Sequence, residues 1–221
     1  MDEWRLKLEE EYQSRLACWS DIQEQMPLLY SAARVRARPV ICELGCRTGN
    51  STIALLAGAA VTGGHVWSVD PGLVTVPGWW QVSGLWSLLA ADDMSDEAAE
   101  WVPAELDILF TDTSHTYEHT LAELRRYVPR VRPGGTVLVH DPELTRTGDP
   151  RPQDYKDVFG GVMGGDWVNA AADGPEYPVA AALDTYCAET GLTWQRQVDR
   201  PAPAPGMPFY GLGSIAIPSS R

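Results

Sequence analysis

The chain has 221 residues, room for one α/β domain with peripheral segments but not for two substantial ones. Its 44% hydrophobic and 21% charged residues are ordinary for a globular protein, while a formal charge of −13 argues against a nucleic-acid partner, since phosphate binding needs a cationic stripe. The arginine groups Arg34-Arg36-Arg38 and Arg125-Arg126-Arg130-Arg132 stand beside predicted helix ends and read as solvated helix faces.

Residues 2–33 are predicted helical, with Trp4, Leu6, Leu8, Tyr12, Leu16 and Trp19 roughly on one stripe. That is more apolar surface than a solvent-facing arm needs, so the helix is expected to pack over the functional site, against a second subunit, or both. Pro39 to Leu44 is a short apolar run ending at Gly45, the pattern of a buried parallel strand. Asn50-Ser51-Thr52 then caps a helix through Ala60, which Gly63-Gly64 ends. His65 to Asp70 is a second strand, stopped by Pro71-Gly72. The irregular stretch that follows holds Trp79, Trp80 and Trp86, expected in the core, with an aromatic wall of a substrate pocket as the alternative.

Trp86 to Ala90 is a third strand with Asp92-Asp93 at its end, and Ser95-Asp96-Glu97 opens a short acidic helix before Pro103. Leu106 to Asp112 is a fourth strand, followed by an amphipathic helix at 116–128 with Leu121, Leu124 and Val128 inward. Arg132-Pro133-Gly134-Gly135 reads as a tight turn and Thr136 to His140 as a fifth strand. Residues 142–178, rich in Gly, Pro and Asp, read as a long insertion of the kind that forms lids. A helix at 178–190 and strands near 192–198 and 209–217 close the chain.

Strands alternating with helices at βαβ spacing predict an α/β fold with a doubly wound, mostly parallel sheet. One domain over 1–221 is expected: a helical segment (1–36), a ligand-binding core (37–141), the loop or lid (142–178) and the closing elements (179–221). Cys18, Cys42, Cys46 and Cys187 form neither a CxxC pair nor a disulfide framework, Met1-Asp2-Glu3 has the wrong charge for a secretion signal, and no apolar run is long enough to span a bilayer. The expectation is a reduced, cytoplasmic protein with no membrane partner.

In such a sheet, ligands sit beyond the carboxyl ends of the strands, where the strand order reverses. That directs attention to Glu43–Ser51, Asp70, Asp92-Asp93, Asp112–His115 and His140-Asp141. Gly45 and Gly49 let the backbone approach a ligand, and the helix after them offers free N–H groups. Arg47 stands where the second glycine of a dinucleotide loop belongs, so an amino-acid carboxylate fits better than a pyrophosphate. Asp70 is placed to accept hydrogen bonds from both hydroxyls of a ribose, and Asp92 or Asp93 to accept from an adenine amino group, with a helix cap and a solvated acidic loop as the structural alternatives.

The segments Glu43-x-Gly45-x-x-x-Gly49-x-Ser51, Ser68-Val69-Asp70-Pro71, Asp112-Thr113-Ser114-His115-Thr116-Tyr117-Glu118 and Arg132 to Asp141 together resemble the class I S-adenosylmethionine-dependent methyltransferases. The likeness is to bacterial small-molecule methyltransferases with Asp-x-x-His after the fourth strand, and more distantly to the catechol O-methyltransferase type. It covers 38–141 well and the last helix and strands loosely. It implies a Rossmann-like, seven-stranded sheet with an antiparallel last strand and S-adenosylmethionine as cofactor. Glu43, Gly45, Cys46, Gly49 and Ser51 would surround its methionine part, Asp70 its ribose, and Asp92, Asp93 and Met94 its adenine edge, with Asp112 also beside it. The acceptor would be an oxygen or nitrogen of a small natural product or sugar.

His115 stands where the catechol type has a lysine base, and an imidazole of ordinary pKa about 6.5 suits proton abstraction. Its structural alternative is to cap the next helix or orient Asp112. His119, one turn on, is the weaker candidate, and Tyr117 is expected to pack. Asp112 and Asp141 match two of three Mg2+ ligands of the catechol type, but Pro142 replaces the third, removing an oxygen donor that an octahedral ion needs. Glu143 or a residue of 142–178 could supply it; His140 is the poorer substitute. Without a metal, Asp141 would contact substrate or orient His115. The competing functions are an NAD-type oxidoreductase, against which Arg47 counts, and a noncatalytic cofactor-binding protein. Fold alone does not decide among them.

Overall fold

The computed structural model describes residues 3–72, 76–78, 80, 84–144, 174–197 and 211–219. Most of the expected 142–178 insertion, Trp79 and the facing ends of the last two expected strands, 198 and 209–210, lie outside these residues. Seven strands form one sheet: β1 Val40–Leu44, β2 His65–Val69, β3 Trp86–Leu89, β4 Leu106–Thr111, β5 Val131–His140, β6 Trp194–Arg196 and β7 Leu212–Ala216. Their order is β3-β2-β1-β4-β5-β7-β6. The pairs among β1 to β5 are parallel, and β7 runs antiparallel to both its neighbours. This is the Rossmann-like methyltransferase architecture that the motifs implied.

Among the described residues, six α-helices cover the faces: α1 Glu3–Leu16, α2 Met26–Ala32, α3 Asn50–Thr62, α4 Asp96–Trp101, α5 Tyr117–Tyr127 and α6 Pro178–Thr190. The alternation of side chains along β1 divides two cores, as the pleat requires. Ile41 joins Leu8, Met26, Leu29, Ile53, Leu56, Trp80 and Trp86 on the face of α1, α2 and α3. Cys42 and Leu44 join Ala98, Leu124, Tyr127 and Leu183 on the face of α4, α5 and α6. Trp80 and Trp86 are thus core residues, packed edge to face with ring centroids 5.9 Å apart. Helix α3 lies between the sheet and α2, so close that a Cβ on Gly58 would sit 2.4 Å from the Tyr30 carbonyl oxygen.

Two sequence expectations are corrected. The single helix over 2–33 is two helices, broken by turns across 17–25. Pro27 falls in the first turn of α2, where its missing N–H is harmless, whereas inside one long helix its ring would clash with the preceding turn. Arg132 to Gly135 is not a turn before β5 but part of it. Gly134 donates to the Ile217 carbonyl at 2.8 Å and Ile217 to that of Gly135 at 2.9 Å, so the end of β7 provides the ladder that local composition does not reveal. The left-handed φ of +74° at Gly134 and a register shift opposite Leu106 and Ile108 absorb the irregularity.

The arginine groups are also less solvated than expected. Asp107, 4% exposed, accepts from the Val40 N–H at 2.8 Å and lies 3.4 Å from Arg36 and 3.3 Å from Arg132. These contacts pin the edge of the sheet opposite the functional one. Cys18, Cys42, Cys46 and Cys187 are free thiols. No helix among the described residues is long and apolar enough to cross a membrane.

Candidate active site

The strand order reverses between β1 and β4, and the loop that leaves β1 runs across their carboxyl ends. Gly45, at φ +80°, lies on β4: a Cβ there would stand 2.1 Å from the Asp112 carbonyl oxygen. Arg47 at φ +41° and Gly49 at φ +83° complete the reversal into α3. Gly49 ends the loop as the N-cap of α3 without a side-chain cap, which leaves that helix terminus suited to an anion.

Asp70 holds this loop in shape. Its Oδ2 accepts from the N–H groups of Cys46 at 2.8 Å and Arg47 at 2.9 Å, and its Oδ1 from Gly72 at 2.7 Å. A carboxylate has about four lone-pair sites, so three are committed to backbone. The Cys46 thiol also hydrogen-bonds to Asp70, so in this arrangement the carboxylate expected at the ribose is engaged by the loop.

Glu43 lies beneath the loop, fully buried, and accepts from Thr52 Oγ1 at 2.8 Å and Ser68 Oγ at 2.5 Å. Trp86 Nε1 in turn donates to Ser68 Oγ, and the Ser51 hydroxyl also hydrogen-bonds to Glu43. Burial pushes the Glu43 carboxyl up to about 7 against the pull of these hydroxyls. Glu43 and Ser51 thus shape the strand-to-helix turn from within. Cys46 is buried as well, which raises its thiol far above its ordinary range.

Asp112, His115, His140 and Asp141 meet at the ends of β4 and β5. Nε2 of His115 lies 3.3 Å from Asp112 Oδ1 and 3.3 Å from Asp141 Oδ2. Nδ1 of His140 lies 3.2 Å from Asp112 Oδ1 and 3.4 Å from Asp141 Oδ1. The four side chains offer ligand atoms that all lie within 4.8 Å of one another, enough to hold a metal ion. Burial opposes the Asp112 charge, but His140 and Arg47 hold its carboxyl well below the usual range. Burial likewise opposes the charge of His140, and Asp141 and Asp112 override it, raising that imidazole well above its usual range.

The sequence placed His140 at the strand end only as the poorer substitute ligand and gave Arg47 no place in this arrangement. Successive strand residues point to opposite faces, which argues against His140 and Asp141 converging; the backbone is left-handed at Asp141, φ +60°, and both side chains join the cluster. Arg47 counted only as a missing glycine, yet its Nη2 lies 3.1 Å from Asp112 Oδ2 and 2.9 Å from Asp21 Oδ2. No local signal could have found these pairings.

Other candidates are placed elsewhere. Glu143 pairs with Arg196 at 3.1 Å and is no part of the four-residue cluster. His119 turns away from His115 to Asp93 Oδ2 at 3.1 Å and Glu123 Oε1 at 3.7 Å, and these carboxylates push it up to about 10. Asp93 is thereby engaged with α5, while the exposed Asp92 caps the Met94 N–H at 2.8 Å. Tyr117 packs against the α5–α6 core, its hydroxyl 3.1 Å from Thr185 Oγ1. The N-terminal helix does reach the glycine loop: Arg15 donates to the Thr48 carbonyl at 2.6 Å and to Asn50 Oδ1 at 3.0 Å.

Residues 42–142 match the family model of a methyltransferase domain, a span that contains the loop, Asp70 and the whole four-residue cluster. The fold is similar to that of an O-methyltransferase family protein from Burkholderia thailandensis, with TM-score 0.58 and 14% identity over 90% of this chain and 57% of that one. It is similar to an O-methyltransferase from Bacillus cereus in complex with SAH, with TM-score 0.53 and 12% identity over 98% and 91% of the two chains. It also resembles CalS11, a TDP-rhamnose 3′-O-methyltransferase of calicheamicin biosynthesis, with TM-score 0.51 and 16% identity over 87% and 77%. This chain spans little more than half the length of the Burkholderia protein. No curated protein sequence matches it. The resemblance drawn from the motifs therefore holds for the matched segment and for the fold.

Proposed function

We propose, from the methyltransferase domain at 42–142, that this chain transfers a methyl group from S-adenosylmethionine to a hydroxyl oxygen of a small polar molecule of the sugar or natural-product type. The observation that carries the reading is one contact, Arg47 to Asp112 at 3.1 Å, which sets the glycine loop directly against the buried polar cluster. Cofactor and acceptor sites are then neighbours, as in-line transfer requires. The sugar O-methyltransferase CalS11, similar in fold, supports an oxygen acceptor.

The residues present fit the cofactor. The α3 terminus, without a side-chain cap, suits the methionine carboxylate, while Asp70 at the end of β2 would face the ribose and Asp92 and Met94, past the end of β3, the adenine edge. When bound, S-adenosylmethionine supplies an electrophilic methyl group on sulfur. The chain's own part is to orient the acceptor and receive its proton. Transfer would exchange its carbon–sulfur bond for a carbon–oxygen bond to the acceptor, releasing S-adenosylhomocysteine, and the Asp112–His115–His140–Asp141 cluster would receive the acceptor proton. His115, with 10% of its side chain exposed against 4% for Asp112, is the member an acceptor meets first.

The test is calorimetric titration with S-adenosylmethionine, S-adenosylhomocysteine and NAD, then methyl transfer to a panel of sugar nucleotides and phenols. Micromolar binding of the sulfur compounds and not of NAD supports the reading. Binding of NAD alone replaces it with an oxidoreductase.

A further inference from the structure

Among the buried residues of α5, Thr120, Leu121, Glu123, Leu124 and Tyr127, only Glu123 carries a carboxyl group. A leucine there would extend the apolar face and spare the cost of taking that group out of water. What Glu123 provides instead is direction. Thr111 Oγ1 donates to its Oε2 at 3.2 Å and Thr113 Oγ1 to its Oε1 at 2.7 Å. These two threonines bracket Asp112, whose N–H still bonds the Leu44 carbonyl at 2.9 Å, so the strand pairing runs on past Thr111. Alternate residues of an extended chain point to the same face. Holding 111 and 113 against α5 therefore turns the residue between them the other way, where Asp112 meets Arg47 at 3.1 Å and His115 at 3.3 Å.

The bracketed segment is also the seat of the glycine loop. A Cβ on Gly45 would stand 2.1 Å from the Asp112 carbonyl oxygen and 3.3 Å from Thr113 Cγ2. One buried carboxyl group thus lies behind both the loop proposed to take the cofactor and the aspartate that meets His115. The helix that carries it is itself fixed. Arg126 donates to the Met94 and Ser95 carbonyls and Tyr127 to that of Asp93. His119, 3.7 Å from Glu123 Oε1, reaches Asp93 Oδ2 at 3.1 Å. Helix α5 is thereby tied to the loop after β3 as well as to β4, the locked support that accurate placement of a site demands.

We propose that Glu123 is a positioning residue: through the hydroxyls of Thr111 and Thr113 it sets the Asp112–Thr113 segment, and with it the seat of the glycine loop and the direction in which Asp112 meets His115. It acts through those two threonines and not by touching cofactor or acceptor. The hold on the segment stands on the geometry alone; only its consequence for methyl transfer rests on the proposed function.

The experiment compares the full-length protein with Glu123→Gln, Glu123→Leu, Thr113→Val and the double variant Glu123→Leu/Thr113→Val. Calorimetry reads the Kd for S-adenosylhomocysteine, thermal melts read Tm, and a nitrogen–proton spectrum of the imidazoles reads the four histidines. The His115 signal is identified by its loss in His115→Gln. His65, 3.0 Å from Ser87 Oγ at the opposite end of the sheet, is the internal reference. Glu123→Leu and Thr113→Val should each raise the Kd at least tenfold and move the His115 signal while that of His65 stays. The double variant should lose no more than Glu123→Leu, because both changes break one contact. Glu123→Gln, which keeps an acceptor oxygen for one threonine, should fall between wild type and Glu123→Leu. A merely structural role would lower Tm and leave the folded protein's Kd and His115 signal as they were. An unchanged Kd or an unmoved His115 signal in folded Thr113→Val, or losses that add in the double variant, overturns the proposal. Should Glu123→Leu not fold, Thr113→Val, which removes a hydroxyl at nearly constant volume, decides by itself. A wild type that binds no S-adenosylhomocysteine defeats the proposed function, and the His115 signal then decides this inference; a wild type that binds it no better than Thr113→Val defeats this inference alone.

Discussion

Arg47 Nη2 lies 3.1 Å from Asp112 Oδ2 and 2.9 Å from Asp21 Oδ2, so a single guanidinium fastens the glycine loop to β4 and to the segment between α1 and α2. Arg47→Met leaves the Asp112 carboxylate, 4% exposed, without that cation, at a cost of about 2 kcal/mol or more. Arg47→Lys should recover only part of this, because the shorter lysine stem ends short of the Nη2 position from which both carboxylates are reached. Urea denaturation checks the order wild type, Lys, Met. Faster proteolysis near residue 21 in the Met variant would show that the segment has been released.

Asp70 accepts three backbone N–H groups, two of them from the loop that the cofactor is proposed to touch. Asp70→Ala should raise the Kd for S-adenosylhomocysteine by at least tenfold, since hydrogen bonds to a charged group contribute about 1.5–3 kcal/mol each and a tenfold change needs only about 1.4 kcal/mol. Calorimetric titration measures the loss. An unchanged Kd would mean that the loop keeps its shape without Asp70.

Gly45 and Gly191 form a matched test of backbone strain and crowding. Both have positive φ, +80° and +72°, but a Cβ at Gly45 meets the Asp112 carbonyl oxygen at 2.1 Å while one at Gly191 meets nothing within 4 Å. Gly191→Ala should therefore cost about 1 kcal/mol, the strain alone. Gly45→Ala should cost clearly more and abolish S-adenosylhomocysteine binding, because the loop must lift off β4. Chemical denaturation of both variants compares the two costs.

The pH dependence of stability has two signs of origin that point the same way. His119 is raised from 6.5 to about 10, so its contribution is complete below about 6.5 and is lost as pH rises through 10. Glu43 is raised from 4.5 to about 7 by burial, so the folded state holds its proton longer and stability falls as pH rises from 4.5 to 7. His119→Gln should flatten the fall in Tm between pH 6.5 and 10. Glu43→Gln should reduce the fall between 4.5 and 7, leaving the part due to Glu123, which burial also raises to about 7. Thermal melts across pH 4 to 10 read both windows.

Much of the fold is local and was legible. The apolar run at β1, the Gly63-Gly64 stop after α3 and the sharp limits of α6 follow from hydrophobic period and from glycine and proline punctuation, which act within a few residues. The same reasoning brought Gly45, Gly49, Asp70, Asp112, His115 and Asp141 to one edge, because parallel strands with helical crossovers place all their carboxyl ends together. Pro27 is a helix-start signal, yet the helix expected over 2–33 ran through it although the apolar stripe named for it ended at Trp19.

What the sequence by itself determined is therefore the order of elements, the edge at which function resides and the residue types gathered there. The tertiary structure decided how those residues are used. Arg132 to Gly135 became strand because β7 arrives from some eighty positions on to pair with it. Asp70 turned to the loop amides, Asp93 to His119, and Arg47 to partners 26 and 65 residues away. His140 joined the cluster beside the left-handed Asp141. The physical reason is range: propensity and periodicity act over a turn of helix or a few strand residues, whereas a hydrogen bond or ion pair is chosen by distances of about 3 Å that exist only after the chain has closed on itself.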